Sequence, residues 1–264
     1  MIPRHTGGCN DVRKQSGKEN PLANSAMLDT KTDGPNCQKW LRSLAGAETM
    51  RVYHFLPANF GLENLRRRRL KLARIAALND PFEFIGPSAP DPATRKAFAD
   101  TKTELAAQFG LLCFSRNWKN PVQWSHYADH HRGVCLGFDV PDGLLTVVSY
   151  VRKRPLPDVD LLRRKDAAAR DAMLKVLSTK FSHWRYEDEV RLFARLDTPS
   201  AGGLYFRPFD ADLQLREVIV GASSDLSRRE ISDALVGTAA QVRKARLAFR
   251  SFRVVEQRKA SLWP

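Results

Sequence analysis

The stretch LLCFSRNWKNPVQWSHYADHHRGVCLGFD (residues 111–139) decides the fold. Leu111–Ser115 is apolar up to its last residue, which predicts a buried, central strand. Asn120-Pro121 then starts a short helix, because Asn is a good N-cap and Pro suits the first helical position. Gly133 ends that helix, and Val134–Asp139 is predicted as the next strand. Helices are therefore interspersed among strands.

The flanking segments continue this mixture. Strands are predicted at Arg51–Leu56, Leu70–Arg74, Leu145–Val151, Glu189–Ala194, Leu204–Phe206, Glu217–Gly221 and Leu247–Val255. Leu204–Phe206 is expected to pair with Glu189–Ala194 across a turn at Pro199–Gly203. Helices are predicted after a cap at Asn59, from Asp91-Pro92 to Gly110, over residues 160–178, and from the capping box at Ser227.

Strands outnumber helices, so we expect an α+β fold with mixed, largely antiparallel sheets and interspersed helices. Residues 1–48 are polar and unpatterned, and we interpret them as a mobile tail with one short helix at Cys37–Leu44. Residues 49–264 are expected to form a single domain. Its core lies at about residues 52–221, and a β-α-β extension follows at 217–258.

Charge is the main departure from average composition. The 264 residues include 43 Lys and Arg against 29 Asp and Glu, a net charge of +14 that is spread along the chain. Such a protein attracts anions, including nucleic acid, although a generally basic surface without a specific ligand explains the same number. No apolar run approaches the ~18 residues that cross a bilayer. Four cysteines without a CxxC pair indicate a reduced, cytoplasmic protein.

Several common chemistries lack their motifs. GxGxxG, GxxxxGK[ST] and GxSxG are absent from the sequence. His126 and His130 are four residues apart and would share one helix face, but no third ligand is evident, so we expect no metal. Cys113 and Cys135 fall in apolar strands, where thiols are inert. His54, in a predicted strand, is either an interior hydrogen-bonding group or a catalytic one.

Three consecutive carboxylates, Glu187, Asp188 and Glu189, lead into a predicted strand. Alternation places Glu187 and Glu189 on one face of the strand and Asp188 on the other. Like charges at this position destabilise the strand unless cations or a ligand compensate them. Arg185 and Arg191 are candidate partners in a structural ion-pair network. The functional alternative is a paired-carboxylate site at the strand edge.

The motifs together resemble the bacterial domain-of-unknown-function family 2971, over about residues 52–221. That resemblance implies no general activity. The motifs that carry it are Val52-Tyr-His-Phe55, Asn79-Asp-Pro-Phe-Glu83, Cys113-Phe-Ser115, Trp124-Ser-His-Tyr-Ala-Asp129, Gly133-Val-Cys-Leu-Gly-Phe138 and Trp184-x-Tyr-Glu-Asp-Glu-Val-Arg191.

The order of parts also resembles the ADP-ribosyltransferase fold. That fold opens with a strand bearing His or Arg, here His54, and has a middle strand ending in Ser or Tyr, here Ser115. A late strand starts with Glu-x-Glu, here Glu187 and Glu189. The middle segment departs from that fold's Ser-Thr-Ser and reads Ser115-Arg116-Asn117.

This second resemblance implies NAD as substrate. Glu189 would hold the ribose hydroxyl and stabilise a cationic sugar, as in glycoside hydrolysis. Glu187 would orient or deprotonate the acceptor, and His54 would hydrogen-bond the adenosine ribose. Tyr127 would stack on nicotinamide, and Arg51 or Arg116 would meet the pyrophosphate. The implied cofactor-binding set is Tyr53, Ser115, Arg116, Tyr127 and Arg51.

Three functions remain open from the sequence. The first is an NAD-dependent ADP-ribosyltransferase or NAD glycohydrolase that acts on an anionic, nucleic-acid target. The second is a nucleic-acid-binding or nuclease-like phage-defence module, in which Glu187, Asp188 and Glu189 would be metal ligands. The third is a non-catalytic interaction domain, in which the Trp and Tyr residues of the motifs belong to the core.

Overall fold

The computed structural model describes residues 48–263, apart from 81, 84–87, 89–90, 156–157, 159, 162–163 and 165. The expected tail and the helix at Cys37–Leu44 lie outside the described residues, except for residue 48. None of the helices in the described part combines the length and the apolar character that crossing a bilayer requires.

Thirteen strands are present in the described residues. They are β1 Thr49–Leu56, β2 Arg69–Lys71, β3 Ala73–Arg74, β4 Phe109–Ser115, β5 Val134–Pro141, β6 Thr146–Val147, β7 Ser149–Val151, β8 Thr179–Phe181, β9 Glu189–Arg195, β10 Phe206–Pro208, β11 Gln214–Val220, β12 Gln241–Leu247 and β13 Val254–Glu256.

The α-helices of the same residues are short, apart from one. They are α1 Ala58–Arg67, α2 Pro92–Gln108, α3 Pro121–Tyr127, α4 Ala167–Leu177 and α5 Arg228–Ala234. Local capping explains four of the starts, including that of α4, where Asp166 accepts a hydrogen bond from the Ala169 amide at 3.0 Å. Asp91 accepts a hydrogen bond from the Thr94 amide at 2.8 Å, Asn120 caps α3, and Ser227 forms a complete capping box.

One large sheet organises the domain in the order β13-β12-β11-β5-β1-β4-β9-β6, with β3 beside β4. All its neighbours are antiparallel except β11 and β12, which pair in parallel with α5 between them in sequence. Two small sheets, β2 with β10 and β7 with β8, flank it. The predicted α+β class with a mixed, largely antiparallel sheet is therefore confirmed.

Both faces of the sheet are covered. One core joins sheet residues such as Val52 and Phe114 to helices α1 and α5. The opposite face carries two separate apolar clusters. One packs α2 and α4 against Leu111, and the other packs Trp124 of α3 against Phe55. Polar side chains lie on this second face between the two clusters.

Several sequence predictions of local structure are wrong; for example, Gly110 does not end α2 but lies inside β4. Leu204–Phe206 does not pair with β9, because β10 begins at Phe206 and pairs with β2 instead. Asn59 does not cap α1, which begins at Ala58 after Pro57 without a side-chain cap. The predicted last strand, Leu247–Val255, is instead the turn of a hairpin formed by β12 and β13.

The junction of β1 and β4 has the shortest run of paired residues between neighbours of the large sheet. A single residue pair, Tyr53 with Ser115, joins the two strands, whereas β1 and β5 are paired along eight residues. Ser115 pairs in turn with Glu189 on β9. Because side chains of paired residues lie on the same face, Tyr53, Ser115 and Glu189 form one row across the sheet.

Candidate active site

A cavity of about 130 Å³ lies at this junction. An apolar cavity of about 150 Å³ holds a benzene molecule, so this one is slightly smaller and comparable in size to a single six-membered ring. Its lining consists of Tyr53, His54, Phe55, Leu78, Asn79, Glu83, Cys113, Phe114, Ser115, Gln123, Tyr127, Lys180, Glu187 and Glu189. Six of the eight candidate site residues are in this set: Tyr53, His54, Ser115, Tyr127, Glu187 and Glu189.

His54 reaches the cavity from the other face of the sheet. Its ring packs edge-on against Phe114, with centroids 5.7 Å apart. Its Nδ1 donates to the carbonyl oxygen of Cys113 on β4 at 2.9 Å, across the opening between the strands. Burial lowers the pKa of His54, so the ring is neutral at neutral pH. Burial also raises the pKa of the Cys113 thiol, which keeps it protonated.

Five buried charged side chains form an ion cluster beside the cavity. Four of them line it, namely Glu83, Lys180, Glu187 and Glu189, and the fifth, Arg191, pairs with two of these carboxylates. Lys180 Nζ lies 3.0 Å from Glu83 Oε1, 2.6 Å from Glu187 Oε2 and 3.0 Å from Glu189 Oε2. Arg191 Nε donates to Glu189 Oε1 at 2.7 Å, and its Nη2 donates to Glu83. Three carboxylates thus face two cations.

The two motif carboxylates differ in their protonation. Burial by itself raises the pKa of Glu189, but the charges of Arg191 and Lys180 outweigh it and lower that pKa to about 2. Burial also raises the pKa of Glu187, and there Lys180 and Tyr127 offset it only in part. Glu189 is therefore held as an anion by its cations, whereas burial shifts the pKa of Glu187 in the opposite direction. Opposed shifts of this kind are typical of acid–base pairs.

The acidic run reaches this arrangement by a different route from strand alternation. Glu187 is the last residue of a 3-10 helix, Ser182–Glu187, and β9 begins only at Glu189. Asp188 between them has a left-handed backbone with φ of 46°. That conformation turns both glutamates to the cavity, while Asp188 pairs with Arg116 on the surface. The face assignment is as predicted, but strand alternation is the wrong reason for it.

Of the two arginines proposed as partners of the acidic run, only Arg191 joins the ion cluster. The Nη2 of Arg185 donates instead to the carbonyl of Tyr150 at 3.4 Å. Lys180 and Glu83 were not predicted as members. Lys180 heads the acidic motif seven residues before Glu187, and Glu83 ends the Asn79–Glu83 motif. The sequence around each of these two residues is local information, and it does not indicate that Lys180 and Glu83 contact each other.

Tyr127 links the ion cluster to α3. Its hydroxyl donates to Glu187 Oε1 at 2.5 Å and accepts from Asn79 Nδ2 at 2.8 Å. Burial raises its pKa, and the neighbouring Glu187 raises it further. The ring is therefore fixed at the cavity wall with its hydroxyl as a hydrogen-bond donor to the carboxylate.

Ser115 is a fully bonded part of the wall. Its Oγ donates to the carbonyl of Asn117 at 3.0 Å and accepts from the Asn117 amide and from Gln123 Nε2, both at 3.0 Å. A hydroxyl has one proton and two lone pairs, so these bonds use its full capacity. Ser115 therefore holds the turn after β4 in place.

The two remaining candidates, Arg51 and Arg116, do not line the cavity. Arg51 binds Asp139 at 2.6 Å and also pairs with Glu217. Arg116 binds Asp188 at 2.5 Å, with both side chains about two-fifths exposed. Asp188 therefore does not converge with Glu187 and Glu189, and the three carboxylates do not form the metal site that a nuclease reading requires.

Other cationic side chains lie beside this cavity. A second cavity of about 270 Å³ shares Lys180 with the first and is lined by Arg152, Lys153 and Arg154. Asp80, only 4% exposed, also lines it, and its Oδ2 has no hydrogen-bond partner among the described residues. In the sequence this basic run indicates only positive charge, and its place beside the cavity depends on the pairing of β7 with β8.

The histidine pair is arranged differently from the prediction. Helix α3 ends at Tyr127, and Asp129, His130 and His131 all have positive φ. His126 and His130 therefore do not share a helix face. His126 Nδ1 lies 3.0 Å from the hydroxyl of Tyr186. The described residues contain no group of three or more His, Cys, Asp or Glu side chains placed to hold a metal ion.

Comparison with known proteins gives one match. The model of the family described as Protein of unknown function (DUF2971) matches residues 123–192. No curated protein and no solved structure matches the chain. The likeness to the ADP-ribosyltransferase fold stays a prediction. The matched segment holds Tyr127, Lys180, Glu187, Glu189 and Arg191, so the chain resembles the DUF2971 family in the part that supplies most of the ion cluster.

Proposed function

We propose that this protein cleaves the bond between nicotinamide and ribose in NAD, and passes the ADP-ribosyl group to water or to an acceptor. The observation that carries the proposal is the ion cluster. With all members ionised it has three negative and two positive charges in a buried wall. A cation that forms in the adjoining cavity is stabilised by this surplus of negative charge, more than a neutral group would be.

The reaction needs such a cation. The C–N bond breaks, its electron pair leaves with nicotinamide, and the ribose carbon becomes oxocarbenium-like. Water or another acceptor then adds to that carbon and gives up a proton. Glu189, which stays ionised, stabilises the sugar cation electrostatically. Glu187 takes the acceptor's proton, because its raised pKa brings it nearer to the working pH than an ordinary carboxylate.

In this proposal the two cavities take different parts of the substrate, in keeping with their sizes. A space of about 130 Å³ takes the nicotinamide ring beside Tyr127 but not a dinucleotide. The neighbouring cavity of about 270 Å³ offers Arg152 and Lys153 to the pyrophosphate. It also offers a ribose hydroxyl the Asp80 Oδ2, which has no partner among the residues that the structure describes. In this proposal these two cations replace Arg51 and Arg116, whose charges are used in ion pairs elsewhere.

Nicotinamide release from NAD tests the proposal. We expect release by the wild type and a loss of about 10²–10³ in kcat for Glu187→Gln, whose amide oxygen still accepts from Tyr127. Asp188→Asn is the matched control, since it removes a neighbouring carboxylate outside the cavity. Arg152→Gln should raise KM more than it lowers kcat. No release by folded wild type, or equal release by Glu187→Gln, contradicts the proposal.

A further inference from the structure

The turn of the hairpin formed by β12 and β13 carries two solvent-exposed aromatic rings. Phe249 is 90% exposed and Phe252 is 98% exposed, more than any other large apolar side chain of the described residues. Water-exposed rings of this size are unfavourable unless something covers them. The tip is a candidate binding surface, and we define it as residues 247–253.

The backbone holds the tip in a fixed position. The Ala248 amide donates to the carbonyl of Arg253 at 3.0 Å, which closes the turn. Below it, Val254 is fully buried in the cluster around Trp124, and its amide donates to the carbonyl of Lys119 at 2.9 Å. The rings therefore project from an anchored hairpin, and a ligand does not have to order them first.

Positive charge alternates with the rings. The segment QVRKARLAFRSFRVV (residues 241–255) has five Lys or Arg and no Asp or Glu. Arg246 lies with its guanidinium carbon 4.7 Å from the centroid of the Phe249 ring. Arg250 stands between the two rings in sequence, and Arg253 follows the second. At the tip, each aromatic ring is thus followed directly in sequence by an arginine.

We infer that this tip binds single-stranded nucleic acid, with bases stacked on Phe249 and Phe252 and phosphates on the neighbouring arginines. Flat aromatic faces beside cations are what single strands require, because every base has a face to stack and every nucleotide a negative phosphate. A lipid surface fits less well, since insertion of both rings would carry the Arg250 guanidinium into the acyl region. This inference is independent of the NAD chemistry proposed above.

Binding of a fluorescein-labelled dT 20-mer to the full chain, followed by anisotropy, tests the inference. We expect the double variant Phe249→Ala/Phe252→Ala to bind about tenfold or more weakly than the wild type. The double Leu variant should be equally weak, because it keeps apolar bulk but has no ring to stack. Phe60→Ala, which removes a half-exposed ring from α1, is the matched control and should bind as the wild type does.

Measurements at different salt concentrations and with lipid vesicles distinguish nucleic-acid binding from lipid binding. Affinity should fall with rising salt, and Arg250→Gln should flatten that dependence by about one counterion. Phosphatidylserine vesicles should not compete with the oligonucleotide at the tip. The inference is overturned by salt-independent binding, by full affinity of the double Ala variant, or by vesicle binding that the Leu variant keeps.

Discussion

Asp188 and Glu189 are neighbours in sequence and opposites in environment. Asp188 is partly exposed and pairs with Arg116 at the surface, whereas Glu189 is 3% exposed and is held by Arg191 and Lys180. A surface pair is screened by water and contributes little. A buried charge is costly to leave alone, so each member of the ion cluster depends on the others. Burial, and not residue type, decides what a charge does here.

The largest expected effect is the loss of Arg191, which is fully buried. Arg191→Met leaves Glu83 and Glu189 short of a partner and should lower the free energy of unfolding by about 3–5 kcal/mol, measured by urea denaturation. The matched surface variant, Arg116→Met, should cost no more than about 1 kcal/mol. Equal losses of unfolding free energy for the two variants would contradict the distinction between the buried ion cluster and the surface ion pair.

A second test uses pH. The pKa of Glu189 in the folded state is about 2, below its usual value of 4.5, so the folded state holds this proton more weakly than the unfolded state. Its contribution to stability, of order 3 kcal/mol, is present above pH ~4.5 and is lost as pH falls towards 2. The stability difference between wild type and Glu189→Gln should shrink over that window. A pH-independent Glu189→Gln difference contradicts the assignment.

The smallest effect carries the opposite sign. The pKa of Glu187 is raised by burial, so ionising it costs folding free energy as pH rises above its unfolded value. Glu187→Gln should therefore gain stability relative to wild type as pH rises above the usual glutamate value of 4.5. Thermal unfolding at pH 4 and pH 8 measures it. A relative loss at pH 8 would mean that the Lys180 contact outweighs burial.

Elements that depend on neighbours in sequence were predictable. The caps at Asp91, Asn120 and Ser227 lie where the sequence predicts them, because a capping side chain bonds an amide two or three residues away. The pairing of β10 was not predictable. Its partner β2 is more than a hundred residues earlier in the chain, and a turn-based argument reaches only the nearest strand.

The residues of the candidate site also include some that the sequence predicts and some that it does not. Sequence motifs singled out His54, Tyr127, Glu187 and Glu189, and all of them line one cavity. The same reasoning chose Arg51 and Arg116 for the phosphates, but both charges are used in other ion pairs. The sequence shows that a residue is basic, but it does not show which acidic group the residue pairs with. The basic residues of a site are therefore the hardest to assign from sequence.

The sequence by itself determined the α+β class, the central strands, the capped helices and the acidic run that the site contains. Those features follow from apolar periodicity and from hydrogen bonds between near neighbours. Only the tertiary structure decided that Lys180 and Arg191 balance Glu83, Glu187 and Glu189. Arg191 and Glu83 are 108 residues apart, and their contact exists only because the folded sheet and the loop after β3 bury both in one place.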